Sequence, residues 1–256
     1  MIHRGKSNYR PTCPALCVAI IGLPHRAALA WPVRFGHAAR RSSRNPEVFA
    51  VIDVLYQDES IVIAVKPADL LSVPGRGPEN QDCLLHRIQP QFPTARIVHR
   101  LDCATSGVMV LALEADSHRE LSRQFHDRET GKRYIAVVEG RLQQAEGLVE
   151  LPLRCDWPNR PKQMVDHEQG KSALTRYRVI EQLDDRTRVE LIPVTGRSHQ
   201  LRVHMQALGH PILGDRFYAT PVALAKAERL QLHAEQLSIH HPVSGEAMNF
   251  HAPCPF

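Results

Sequence analysis

No apolar stretch in this 256-residue chain is long enough to cross a bilayer as a helix, so a helical membrane protein is excluded. The six cysteines, at 13, 17, 83, 103, 155 and 254, form no CxxC pair and no disulfide-like spacing, and reduced thiols in a cytoplasmic protein are expected. Cys13 and Cys17, with His25 nearby, lack a second ligand pair, so no metal site is expected there. Residues 47–256 contain no internal repeat, no coiled-coil heptads and no low-complexity linker, so one domain is the simplest count. Acidic residues are missing altogether from positions 1–45, which carry eight Lys or Arg. The overall charge of +5 is therefore misleading: residues 46–256 hold 24 basic and 27 acidic groups, a formal net of −3. Bulk charge does not make that region a nucleic-acid binder. Any phosphate contact has to come from local clusters, at 96–100, 128–133, 154–162 and 197–204.

The first 45 residues imitate a secretory signal: basic residues precede the apolar stretch Ala15–Leu23, and Ala28-Leu29-Ala30 has the look of a cleavage site. Pro24, His25 and Arg26 interrupt that pattern before the small residues. The expectation is a basic, disordered extension over 1–45, or a start codon assigned too far upstream, followed by a single folded domain over 46–256.

Short apolar runs alternating with turn signals from Glu47 onward predict a β-rich α+β domain. Strands are expected at 61–65, 108–113, 133–138, 147–151, 174–180, 188–194, 230–240 and 247–251. Ser198 is expected to cap a helix running to Leu208, with Leu201, Met205 and Leu208 on one face and Gly209 as its stop. A second helix is expected over 116–126, with Leu121 and Phe125 inward, and a short third over 82–88.

The most informative segment is His99-Arg100-Leu101-Asp102-Cys103-Ala104-Thr105-Ser106-Gly107. It places one carboxylate among an Arg, a His and two hydroxyls, immediately before the apolar run Val108–Leu113. Asp102 thus sits on the turn feeding a core strand, where rigid structure can aim it. An ordinary turn Asp that accepts backbone N–H bonds is the competing account.

This segment resembles the catalytic HRLDxxTSG motif of the RluA-like family of RNA pseudouridine synthases. Further segments agree with that family in order: Lys66-Pro67, the strand opening Lys132-Arg133-Tyr134, the stretch Thr195-Gly196-Arg197-Ser198-His199-Gln200-Leu201-Arg202, and Leu208–Asp215. Asp156-Trp157-Pro158-Asn159-Arg160-Pro161-Lys162-Gln163 is similar to the family's small members that act on both 23S rRNA and tRNA. The resemblance implies a pseudouridine-synthase catalytic domain with a mixed, mostly antiparallel sheet, a central cleft and no S4-type domain. It implies isomerisation of uridine in RNA, with uridine 746 of 23S rRNA and uridine 32 of the tRNA anticodon stem-loop as targets. It implies no cofactor and no metal; a monomer without an obligate protein partner is expected.

Breaking the N1–C1′ bond and forming C5–C1′ exchanges no electrons, but it needs a carboxylate beside the glycosidic bond in a partly dry pocket. Burial alone would favour the neutral acid, and a nearby Arg opposes that. Asp102 is the expected carboxylate and Arg197 its expected partner, although a solvated loop Arg would look the same. Tyr134 is expected to stack on the uracil and accept the C5 proton, or else to fill the core as a strand aromatic. Arg100 is expected to occupy the space left by the flipped base, or to form a structural ion pair. His99 and Thr105 are expected to brace the Asp102 turn, and Leu201 to form an apolar wall or simply to pack in the core. Asp69, where relatives carry Gly, predicts a left-handed turn. Two other classes compete: a non-catalytic RNA-binding module that would not need this trio, and a glycosidase or nucleoside hydrolase, which normally needs two flanking carboxylates.

Overall fold

The seven residues Ser106–Ala112 explain the arrangement of half the molecule. All are buried, and their side chains alternate between two cores as a strand's period of two requires. Val108, Val110 and Ala112 join Ile61, Ile63, Leu121 and Phe250 on one face, while Met109 and Leu111 join Val62, Ala64, Leu84 and Ile88 on the other. A strand covered on both faces has no polar side to show, hence the unbroken apolar run. Each such aliphatic side chain contributes roughly 1.5–3 kcal/mol by leaving water.

The computed structural model describes residues 51–256. Expectations for residues 1–45, including the grouping of Cys13, Cys17 and His25, lie outside the described residues. In chain order the elements are β1 (Asp53–Gln57), β2 (Ile61–Lys66), α1 (Leu84–Ile88), β3 (Arg96–Ile97), β4 (Ser106–Ala112), α2 (Ala115–Asp127), β5 (Gly131–Glu139), β6 (Glu146–Glu150), β7 (Leu153–Cys155), β8 (Gln163–Val165), β9 (Leu174–Gln182), β10 (Arg186–Pro193), α3 (Gln200–Ala207), α4 (Pro221–Ala225), β11 (Leu232–His240) and β12 (Ala247–His251). The main sheet runs β1-β2-β4-β11-β5-β10-β9-β6, with β3 added to β4 and β12 to β11, while β7 and β8 form a separate hairpin. This is the α+β, mostly antiparallel architecture expected, and no helix among the described residues is long and apolar enough to cross a membrane.

The one parallel pairing in that sheet is β4 with β11, confined to Ser106↔His233 and Gly107↔Ala234. Here two lobes meet: β1, β2 and β4 with α1 and α2 on one side, and β5, β10, β9 and β6 with α3 on the other. Gly107 has φ +129°, and a Cβ at that position would lie 2.2 Å from the Ala234 carbonyl oxygen. Only glycine fits this seam, so the last residue of the HRLDxxTSG segment is fixed by backbone approach. Tyr134 packs against the cores of both lobes.

The expected helices and strands are found with small shifts at their ends. β1, β3, β7, β8 and α4 are additions, most of them too short to show a period. Ser198 does not cap α3. His199 holds the N-cap position with φ +53° and no side-chain cap, and Gln200 instead takes the role of tying down the preceding loop through its amide oxygen, which accepts from Arg197 N–H (3.0 Å) and the Thr195 hydroxyl (2.7 Å). Leu208 lies past the helix end and is exposed. Asp69 has φ +57°, as its place in the turn predicted.

Candidate active site

Asp102 stands on the short loop entering β4, and three contacts fix that loop from beneath. The Thr105 N–H closes a turn onto the Asp102 carbonyl at 3.0 Å. The Ser72 hydroxyl donates to the Leu101 carbonyl at 2.9 Å and accepts from the Leu101 N–H at 3.2 Å. Lys66, fully buried at the end of β2, donates to the carbonyls of Pro67 (2.9 Å), Leu70 (2.6 Å) and Cys103 (2.9 Å). An ammonium has three donors, and here each meets a carbonyl. Burial nevertheless pulls the Lys66 pKa down to about 8, against the opposing pull of the negative groups around it.

The Asp102 carboxylate, 26% exposed, accepts from Nη1 of Arg202 at 3.2 Å. Arg202 is buried on the first turn of α3, and its other edge makes a two-point contact with buried Asp215: Nε to Oδ2 at 2.8 Å and Nη2 to Oδ1 at 2.7 Å. Its guanidinium also lies about 5 Å from the rings of Phe217 and Tyr218. Burial works against the charge, but Asp215 and then Asp102 outweigh it and hold the Arg202 pKa above its ordinary value. Asp215 is fixed in turn by the N–H groups of Phe217 (2.9 Å) and Tyr218 (3.3 Å).

His199 Nε2 faces the same Asp102 oxygen from 4.0 Å, and its Nδ1 is 2.6 Å from the Tyr218 hydroxyl. Burial lowers the His199 pKa despite the pull of Asp102, and burial pushes Tyr218 up to about 12. A neutral imidazole beside a protonated phenol accepts at Nδ1, which leaves the Nε2 proton directed toward Asp102.

Of the residues predicted for the site, Tyr134 is held at the seam, opposite Leu191 on β10 and Ala234 on β11. Burial, then the Asp102 charge, raises the pKa of its phenol, and its hydroxyl makes no hydrogen bond among the described residues. Leu201 lies in the core with Leu191, Met205 and Tyr134, beneath the seam. His99 is a brace: its Nε2 accepts from Val110 N–H at 3.2 Å, its ring stacks on Phe125 at 4.4 Å, and burial lowers its pKa to about 3, so it stays neutral. Thr105 is buried in the turn, and Arg100 is exposed with no hydrogen bond or ion pair among the described residues.

Arg197 is the correction. It is exposed, its Nε donates to the Ser172 carbonyl at 3.0 Å, and it does not pair with Asp102. The cation that does is Arg202, five residues on. The loop carrying Arg197 ends before α3 begins, whereas the first turn of α3 points inward. Two signals in the sequence favoured Arg202: it shares a helix with the apolar Leu201 and Met205, and Asp215 follows in the next motif as a second anion able to neutralise a buried guanidinium. Among the described residues no group of three His, Cys, Asp or Glu side chains could hold a metal ion.

The family model described as RNA pseudouridylate synthase matches residues 60–207, a span that includes Lys66, the Asp102 loop, Tyr134 and Arg202. The chain belongs to the RNA pseudouridylate synthase family. This pseudouridine synthase is 62% identical over 204 residues to the dual-specificity RNA pseudouridine synthase RluA of Yersinia pestis, a match covering 79% of this chain and 99% of that one. It is 59% identical over 213 residues to the protein of the same name from Escherichia coli K12, covering 83% and 97%. Among solved structures it is similar to human RNA pseudouridylate synthase domain containing 1, at 29% identity and TM-score 0.68, covering 80% of this chain and 84% of that one. As a pseudouridine synthase the enzyme is an isomerase acting on RNA.

Proposed function

We propose that this enzyme converts uridine to pseudouridine in single-stranded loops of two RNAs, 23S rRNA and tRNA, at the positions equivalent to uridine 746 and uridine 32, with Asp102 as its catalytic carboxylate. The observation that carries the assignment is the 3.2 Å contact between Asp102 and Arg202, whose opposite edge is clamped by Asp215. A single accessible carboxylate aimed by an immobile cation is what cleavage and re-formation of a bond at C1′ require. Relatives named for dual specificity toward RNA, matched over nearly their whole length, support the choice of two substrates.

In this scheme the target uridine leaves its stack, a step costing a few kcal/mol and least in a loop. The free guanidinium of Arg100 fills the gap, stacking on a neighbouring base. Tyr134 forms the flat wall of the pocket, backed by Leu201. With its pKa raised, the phenol is protonated at neutral pH, which suits stacking and works against the expected acceptance of the C5 proton. Asp102 acts at the glycosidic bond, N1–C1′ breaks, the uracil turns, C5 bonds to C1′, the C5 proton passes to water, and N1 takes up a proton in its place. Atoms and electrons balance without a cofactor. The catalytic unit is a single copy of the domain in the cytoplasm.

The test is Asp102→Asn, an isosteric change that removes the charge. We expect pseudouridine formation, followed by tritium release from C5-labelled uridine in RNA, to fall at least about 1,000-fold while RNA affinity changes little. Activity near that of the parent enzyme would remove Asp102 from the chemistry, and free uracil among the products would point to hydrolysis instead.

A further inference from the structure

The tip of the β7–β8 hairpin carries the most exposed aromatic side chain among the described residues, Trp157, at 63% exposure. The guanidinium of Arg160 lies over one face of the indole, 4.5 Å from the ring, a cation–π contact that holds the pair together at the tip. Arg160 and Lys162 have no carboxylate partner among the described residues, and the one acid at the tip, Asp156, accepts from the Asn159 side chain at 2.9 Å. The tip is not a loose loop. Asp156 N–H bonds to the Lys162 carbonyl at 3.0 Å, and Lys162 N–H to that of Asn159 at 3.0 Å.

The base of the hairpin is joined to the active site. Leu153 and Val165 pack with Ala173, Val203 of α3 and Tyr218, and the Gln163 N–H donates to the Tyr218 hydroxyl at 2.8 Å. That hydroxyl bonds His199, which faces Asp102. Three contacts therefore run from the hairpin to the carboxylate, and the sequence feature at its tip plays no part in the chemistry described above.

We infer that Trp157 and Arg160 form a stacking platform for an unpaired base of the RNA loop that flanks the flipped uridine, making this hairpin a determinant of loop over duplex substrates. An aromatic face beside unneutralised cations matches the face of a base and its phosphate, and every base has such a face, so the platform tolerates different loop sequences. A duplex offers no unstacked base to receive. The inference rests on the proposed RNA substrates but not on the identity of the catalytic group.

Two measurements test it. In the Trp31→Phe, Asp102→Asn protein Trp157 is the only tryptophan. A short RNA stem-loop with a uridine-containing loop should quench its emission, and a blunt RNA duplex of equal length should not. In the active enzyme, Trp157→Ala should raise KM for the stem-loop roughly tenfold, with a far smaller change in kcat, and Trp157→Phe should recover most of the loss. An unchanged melting temperature is expected, since the side chain is exposed. A KM within twofold of the parent, or equal quenching by stem-loop and duplex, overturns the platform. If the parent enzyme modifies neither RNA, the proposed substrates fail, while the quenching comparison still decides the hairpin's role.

Discussion

Around Asp102 the protein deploys two kinds of cation. Beneath and beside the carboxylate, Lys66 and Arg202 are buried and every donor edge that can be followed meets an oxygen: three carbonyls for Lys66, two carboxylates for Arg202. Toward solvent, Arg100 and Arg160 are exposed with no acidic partner among the described residues. The difference separates positioning from recognition. A buried charge with fixed partners cannot reorganise to greet a substrate, but it can hold a reacting group at low dielectric cost. An unpaired surface guanidinium holds nothing, yet it is free to meet a base or a phosphate. Loss of a buried cation should therefore damage kcat and stability together, and loss of an exposed one should damage KM with the fold intact.

The largest expected break in that contrast, after removal of Asp102 itself, lies at Asp215. Asp215→Asn leaves the Arg202 guanidinium buried against a single carboxylate, and losing one partner of a buried pair costs about 3–5 kcal/mol of stability. Arg202 would then be free to move toward Asp102. We expect a drop in melting temperature together with a fall in kcat of at least about 100-fold. Arg202→Lys should do the same, because an ammonium cannot bridge two carboxylates with the fork geometry of a guanidinium. If either variant kept full kcat, the Asp102–Arg202–Asp215 line would be scaffolding without influence on the reaction.

Lys66 gives a smaller effect with a pH signature. Its pKa is about 8 in the folded protein against an ordinary 10.5, so between those values the unfolded chain binds a proton that the folded one has released. This group alone therefore makes stability rise with pH across that window. Below pH 8 both states are protonated and the burial penalty is constant. The same deprotonation leaves two N–H donors for three carbonyls and loosens the anchor on Cys103. Activity should fall above pH 8 while the Lys66 contribution to stability climbs. Lys66→Met should abolish both slopes and cost about 1–3 kcal/mol from unpaired buried carbonyls, as read from denaturation and pH–rate curves of the two proteins.

The balance between what was legible in the sequence and what was not follows the same division. β4 was plain because it is buried on both faces, and the seam glycine was visible as the end of a motif, although its reason, the approach of Ala234, was not. The turn at Asp69 was legible through the resemblance, because relatives carry Gly at that place and Asp tolerates positive φ. The short β7–β8 hairpin was not, because three-residue strands show no period. The partner of Asp102 was misplaced because Arg197 and Arg202 occupy one motif and offer the same guanidinium, and only the packing of α3 beside the Asp102 loop chooses between them. The helix start moves by one residue, from the expected Ser198 cap to His199, which leaves Arg197 on the loop and Arg202 on the helix either way.

The smallest predicted effects fall on the exposed cations and sharpen the comparison most. Arg100→Ala should lower kcat/KM about tenfold with melting temperature unchanged, since the guanidinium makes no hydrogen bond or ion pair among the described residues but would stack on RNA. Arg197→Ala removes a hydrogen bond to one carbonyl, Ser172, from the surface of the loop before α3. That loop is already held by Gln200 through both Thr195 and the Arg197 N–H, contacts the substitution leaves in place. We therefore expect a change in kcat of less than about threefold and a stability loss below about 1 kcal/mol. The two arginines share a motif and differ only in which way the chain turns them. A hundredfold loss of kcat in Arg197→Ala with Arg202→Lys unaffected would reverse the assignment and place the working cation on the loop.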